Sequence, residues 1–190
     1  MADTAKAYSR TAGQPAWSEH RIAAALARQV FNNKHLVVVP RCGWTGYECD
    51  LLVVTRCLRV IDVEVKISRS DLRADAKKDK WYHAWDWRLD GPWEGRHDNE
   101  KRRPREWPRK VWKHYYAVPA DIWDDALYDS LPSERSGVIL MTAEDSNHVS
   151  AKIIRRATPF RDAERISPGD AVDIARIASL RMWDALARRH

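Results

Sequence analysis

In the stretch VIDVEVKIS, residues 60–68, the period of two along a strand sends Asp62, Glu64 and Lys66 to one face and Ile61, Val63, Val65 and Ile67 to the other. One face is wholly apolar and the other wholly charged. A charged face on a strand this rich in Val and Ile is either solvated at an edge or lines a site. Asp50 stands directly before the apolar run LLVVT, and a hairpin pairing of the two runs brings its carboxylate alongside Glu64. Converging carboxylates suit a hard cation such as Mg2+ or Mn2+, which takes carboxylate and water oxygens and leaves the rest of its octahedron to a substrate phosphate. Lys66 is then within reach of a metal-bound water and that phosphate, where an ammonium orients the nucleophile and stabilises the developing charge. Phosphodiester hydrolysis is the chemistry this set suits.

The elements that must position these groups are legible as patterns. Ile22, Ala23, Leu26 and Val30 recur at helical spacing behind a plausible Ser18 cap, so a first helix is expected from about Ser18 to Phe31. Glu19 falls on the same stripe. A carboxylate on a core-facing stripe needs a partner; the alternative is a first-turn residue favoured by the helix dipole and exposed at the rim of the sheet. Three β-rich runs follow, HLVVVP, YECDLLVVT and LRVIDVEVKI, and read as an antiparallel meander. A second helix is expected from about Ser70 to Trp85, with Ser68 and Ser70 as cap candidates. After it come a strand HYYAVP, a short helix from Ala120, a strand GVILMT, an edge strand SAKIIRRA and a closing helix from about Asp170. That closing helix gathers Ile174, Ile177, Ala178, Met182 and Leu186 on one side. This order implies an α/β sandwich around a mixed sheet.

Composition bounds the function. The chain of 190 residues supports one core, taken as a single domain over residues 17–190 behind a mobile polar segment at 1–16. Lys and Arg outnumber Asp and Glu by 33 to 27, a +6 excess that suits a polyanionic partner. Cys42, Cys49 and Cys57 are odd in number and form no C-x-x-C pair, so neither a disulfide framework nor a zinc knuckle is indicated. No apolar run approaches the roughly 20 residues that span a bilayer, and the cytoplasm is the expected compartment. A Gly-rich phosphate loop is missing, which argues against NTP hydrolysis. The seven histidines show no metal-ligand spacing and receive no role.

With Glu19 on a helix, Asp50 at a strand start and EVK at 64–66, the chain resembles the PD-(D/E)XK nuclease superfamily, whose αβββαβ core has its elements in this order. Within it, VEVKISRSDLRADAKK, HYYAVP, LPSERSGVIL and ARIASLR resemble the MmcB-like group of DNA-repair nucleases, over residues 17 to about 183. The resemblance implies Asp50 and Glu64 as ligands of Mg2+ or Mn2+, the Val65 carbonyl as a further ligand, Lys66 as the catalytic lysine and Glu19 as an accessory acid. It implies a nuclease acting on nucleic acid, DNA before RNA, with a homodimer among the options. Asp71 and Asp75 match the group's pattern after the lysine. Cys49 stands where proline is common, and Asp62 adds an acid where such strands are usually apolar. A catalytically inert nucleic-acid- or partner-binding module on the same fold is the competing reading.

Residues 88–110 are charged, broken by Gly and Pro, and read as an inserted loop. Its cations Arg102, Arg103 and Arg105, interleaved with Trp93 and Trp107, have the composition of a phosphate-and-base groove. Trp81 and Trp85, four residues apart, read as core instead. Ser68 and Ser70 are caps first, although a helix start also receives phosphate. Of Tyr115 and Tyr116, one should face the site and the other the core.

Overall fold

The structure is a computed structural model and describes residues 17–32, 35–84, 86–90, 102–143 and 148–188. The expected mobile segment at 1–16, Trp85 and Trp93 lie outside these residues. Helix α1 spans Glu19–Gln29, and its N-cap is Ser18, whose side chain accepts from the Arg21 amide. The apolar stripe works as the spacing predicts: Ile22 and Leu26 are fully buried. Each such side chain contributes about 1.5–3 kcal/mol by leaving water.

Strands β1 (His35–Cys42), β2 (Cys49–Thr55) and β3 (Val60–Val65) form the antiparallel meander, with Leu52 opposite Asp62 and Leu51 opposite Val63. Thr55 closes the β2–β3 turn, since its hydroxyl both donates to the Arg59 carbonyl and accepts from the Arg59 amide. Helix α2 (Arg69–Ala74) begins the crossover to β4 (Lys113–Pro119), which lies parallel to β3. A one-turn helix α3 (Trp87–Asp90) sits within that crossover. Strand β5 (Gly137–Ala143) is parallel to β4, and β6 (Val149–Arg155) returns antiparallel as an edge. The six-stranded mixed sheet runs β1 to β6 in chain order. Helix α4 (Pro168–Ala187) starts with a capping box, in which Ser167 and Asp170 bond each other's backbone amides.

One sheet face carries Leu51, Val53, Ile61, Val63, Val65, Tyr115 and Ala117 and is covered by α1. The other is shared: Ile174 of α4 covers Val39, Leu52, Val54 and Val60, whereas Leu72 and Trp81 cover Tyr116 and Val118. Gly137 is required where β4 meets β5, because a Cβ there would lie 2.3 Å from the Tyr115 ring and 2.7 Å from the Ala157 amide nitrogen.

Four expectations need correction. The second helix is not continuous to residue 85. After α2 the chain makes two 3-10 turns, Asp75–Lys77 and Asp79–Trp81, with Lys78 extended between them. In an unbroken α-helix, residues two apart point about 200° apart, so Lys78 and Lys80 would not reach one carboxylate together. The helix expected from Ala120 is a turn followed by a 3-10 segment at Asp125–Ser130. On α4, Ile174 is buried and Ile177 and Ala178 partly so, but Met182 and Leu186 on the same side stay exposed. The end of the insertion does not project. Tyr82 bridges Pro104, the Arg105 amide donates to the Trp81 carbonyl, and Trp107 is buried against His114 and Phe160.

Candidate active site

Strand β3 delivers Asp62, Glu64 and the following Lys66 to one face, as its alternation requires, and all three are buried. They are not a solvated edge. Across from them the 3-10 turns bring Asp75, Lys78 and Lys80, and β4 brings His114 and Tyr116. Three carboxylates and three ammoniums thus meet beneath α2. Glu64 is the hub: its Oε2 lies 2.9 Å from Lys66 Nζ and 2.8 Å from Lys78 Nζ, and its Oε1 lies 2.7 Å from Lys80 Nζ. Lys66 is held from the other side by Asp75 Oδ1 at 2.9 Å, with Asp71 farther out at 3.9 Å.

The surrounding hydrogen bonds fix these positions. Asp75 Oδ2 accepts from the Tyr116 hydroxyl at 2.6 Å and from the Trp81 indole at 3.1 Å. Tyr116 therefore faces the cluster and Tyr115 the core. Asp62 accepts from the Tyr47 hydroxyl at 3.3 Å and has Lys80 at 3.6 Å. Lys80 donates to His114 Nε2, so the proton of that imidazole sits on Nδ1 and donates to Ser136 Oγ. Burial and the adjacent Lys80 hold His114 well below its usual range, neutral.

The carboxylates diverge in electrostatics although they are neighbours. Burial raises the Glu64 carboxyl, but Lys80, Lys66 and Lys78 outweigh it and hold the pKa at about 2. Asp75 is lowered by the same balance of burial against Lys80 and Lys66. Asp62 goes the other way: burial prevails over Lys80, Glu64 adds to it, and the pKa rises to about 7.

Asp50 sits at the edge of this cluster. Its Oδ2 accepts from the Val65 amide at 2.8 Å, which ties the carboxylate to the residue between Glu64 and Lys66. Burial and the charge of Glu64 push its pKa up to about 6. The D…ExK residues are thus brought together around β3. Val65 contributes its N–H to Asp50.

Other expected residues fall elsewhere. Glu19 is exposed and pairs with Arg41 at 3.2 Å, which overturns the core-facing reading and matches the first-turn alternative. It shares a cleft of about 380 Å3 with Asp50 and Arg181. Ser68 caps α2 by accepting from the Asp71 amide, and Ser70 lies 3.0 Å from its hydroxyl. Arg102 is anchored to Asp79 at 2.5 Å and to the His83 carbonyl, Arg105 is partly buried, and Trp107 donates to the Val111 carbonyl. Of the three arginines Arg103 is exposed, while Arg105 and Trp107 line a cleft of about 620 Å3 together with Arg109, Lys110 and Arg165.

Lys78, Lys80 and His114 were not anticipated. In KKDKW the two lysines look like ordinary helix-surface residues, and only the 3-10 break turns them inward. His114 had a usable signal: it lies two residues before Tyr116 on an alternating strand, hence on the same face.

A divalent cation suits the chemistry of Asp50 and Glu64, which offer hard carboxylate oxygens. What meets Glu64, however, is lysine. Among the described residues no three His, Cys, Asp or Glu side chains are grouped to hold a metal ion.

No protein-family model matches the chain, and no curated protein matches it. Among solved structures it is similar to the SPO1766 protein of unknown function from Silicibacter pomeroyi, with a TM-score of 0.50 and 18% identity over 90% of this chain and 89% of that one. At this identity the likeness is one of fold. Among the described residues no helix is long and apolar enough to cross a membrane.

Proposed function

We propose that the chain is a divalent-metal-dependent nuclease of the PD-(D/E)XK type, hydrolysing phosphodiester bonds of DNA in repair or processing, with the cytoplasm as its compartment. One observation carries the reading: Lys66 Nζ stands 2.9 Å from Glu64 at the end of β3, while Asp50 from the neighbouring strand bonds the Val65 amide between them. The element order helix, three strands, helix, strand supports it. A bound Mg2+ or Mn2+ supplies a nucleophilic water at neutral pH and neutralises phosphate charge. Asp50 and Glu64 would hold it. Lys66, clamped between Glu64 and Asp75, presents a fixed positive charge to the phosphoryl oxygens. Asp75, braced by Tyr116 and Trp81, positions that lysine without touching substrate.

A second reading, an inert binding module on this fold, is favoured by the three ammoniums that surround Glu64. Incubation with labelled linear, circular, branched and single-stranded DNA, and with RNA, in Mg2+ or Mn2+ separates the two. The nuclease reading expects cleavage that a chelator abolishes and Glu64→Ala impairs, with part of the loss recovered by excess Mn2+. Nucleic-acid binding with every substrate left intact would favour the inert module.

A further inference from the structure

We infer that Lys78 is a displaceable counter-ion: its ammonium holds the place at Glu64 that a divalent cation takes, and it leaves when the cation binds. The inference rests on the metal-dependent reading above. The three ammoniums on Glu64 are not equivalent. The side chains of Lys66 and Lys80 are 2% and 1% exposed and are enclosed by Asp75, His114 and Trp81, whereas that of Lys78 is 44% exposed. Lys78 also crowds an oxygen already in use, since it and Lys66 both lie within 3 Å of Glu64 Oε2, at 2.8 and 2.9 Å.

Its path out is open. Beyond Lys78 lies a cleft of about 440 Å3, lined by Tyr47, Glu48, Lys77 and Asp79. The backbone at Lys78 is extended between two 3-10 turns, so the side chain is not fixed against a helix surface. Its flexible four-carbon stem and strongly hydrated head suit movement into water, and of the three lysines on Glu64 it is the one with substantial exposure. Charge gives the reason to move. Three carboxylates, Asp62, Glu64 and Asp75, face three ammoniums, and a divalent cation added beside them is repelled by each. Withdrawal of Lys78 removes one of those charges and clears Glu64 on its outer side.

Mn2+ binding to the full chain, measured by titration calorimetry without nucleic acid, tests this. Lys78→Met should bind Mn2+ at least about tenfold more tightly than wild type, because it deletes the competing charge. Equal affinity of the two proteins would overturn the role of Lys78 and leave the metal site standing. Failure of both to bind Mn2+ would overturn the inference together with the metal-dependent reading. Should the variant fold poorly, wild type gives a second readout: brief acetylation followed by peptide mass spectrometry, with exposed Lys77 as the internal reference. Lys78 modification should rise several-fold when Mn2+ is added, and an unchanged ratio to Lys77 counts against displacement.

Discussion

The two faces of β3 are built from alternate residues of one strand and obey different physics. On one side Ile61, Val63 and Val65 meet Ile22 and Leu26 of α1, a contact set by shape and apolar area alone. On the other, Asp62, Glu64 and Lys66 are equally buried but survive only because each charge has a partner at hydrogen-bond or ion-pair distance. The apolar face tolerates substitutes of similar volume. A buried ion network does not tolerate loss of one partner, and apolar side chains of the same size often stabilise as well or better. The second face is therefore costly for folding alone, and perturbed ionisable groups of this kind cluster at functional sites.

The largest effect should come from unbalancing the charged face. Lys80→Met removes the ammonium between Glu64, Asp62 and His114 and should lower stability by about 3–5 kcal/mol, read as a shift in urea midpoint at constant slope. A change below about 1 kcal/mol would show that the network relaxes or is hydrated, and would erase the contrast between the faces. Next, Leu26→Ala on the apolar face should cost about 3 kcal/mol through its cavity, while any cleavage per folded molecule stays at the wild-type level.

Asp50→Asn should act in the opposite direction. The folded pKa of Asp50 is raised to about 6 from the ordinary 3.8, so its ionisation costs stability as pH rises through this window, and the full cost is present above it. The Asn variant should therefore gain about 1–2 kcal/mol on wild type between pH 4 and pH 8, discounted for partial exposure. Any Mn2+ affinity should fall. A constant difference across pH would place Asp50 in bulk-like solvent. The smallest effect belongs to Glu19→Ala, which breaks an exposed ion pair with Arg41 and should cost less than about 1 kcal/mol.

How far these faces were legible in sequence follows from where each constraint is written. The period of two in VIDVEVK assigns every side chain of β3 to the correct face, and the caps at Ser18 and Ser68 appear as predicted. Local pattern carries that information. Burial of the charged face is not local, because it depends on Asp75 and Lys80 arriving from a segment that looks helical through residue 85. Glu19 stays open in the sequence for a related reason: it shares the angular stripe of Ile22 and Leu26 but lies in the first turn, where Arg41 takes its charge. Trp107 stands among arginines, a setting that suggests the surface, whereas the residue is buried and its ring lies 6.3 Å from Phe160 in a stacked pair.

If Asp50, Glu64 and Lys66 form a hydrolytic centre, wild type and Lys66→Ala must differ sharply in one property. The measurement is the rate of DNA cleavage in Mn2+, with binding of the same DNA determined on the same preparations. Lys66→Ala should cleave about 100-fold or more slowly, with binding largely retained, because the lost charge acts mainly in the transition state. Equal cleavage rates for the two proteins would rule out this centre, even if the protein proved to be a nuclease.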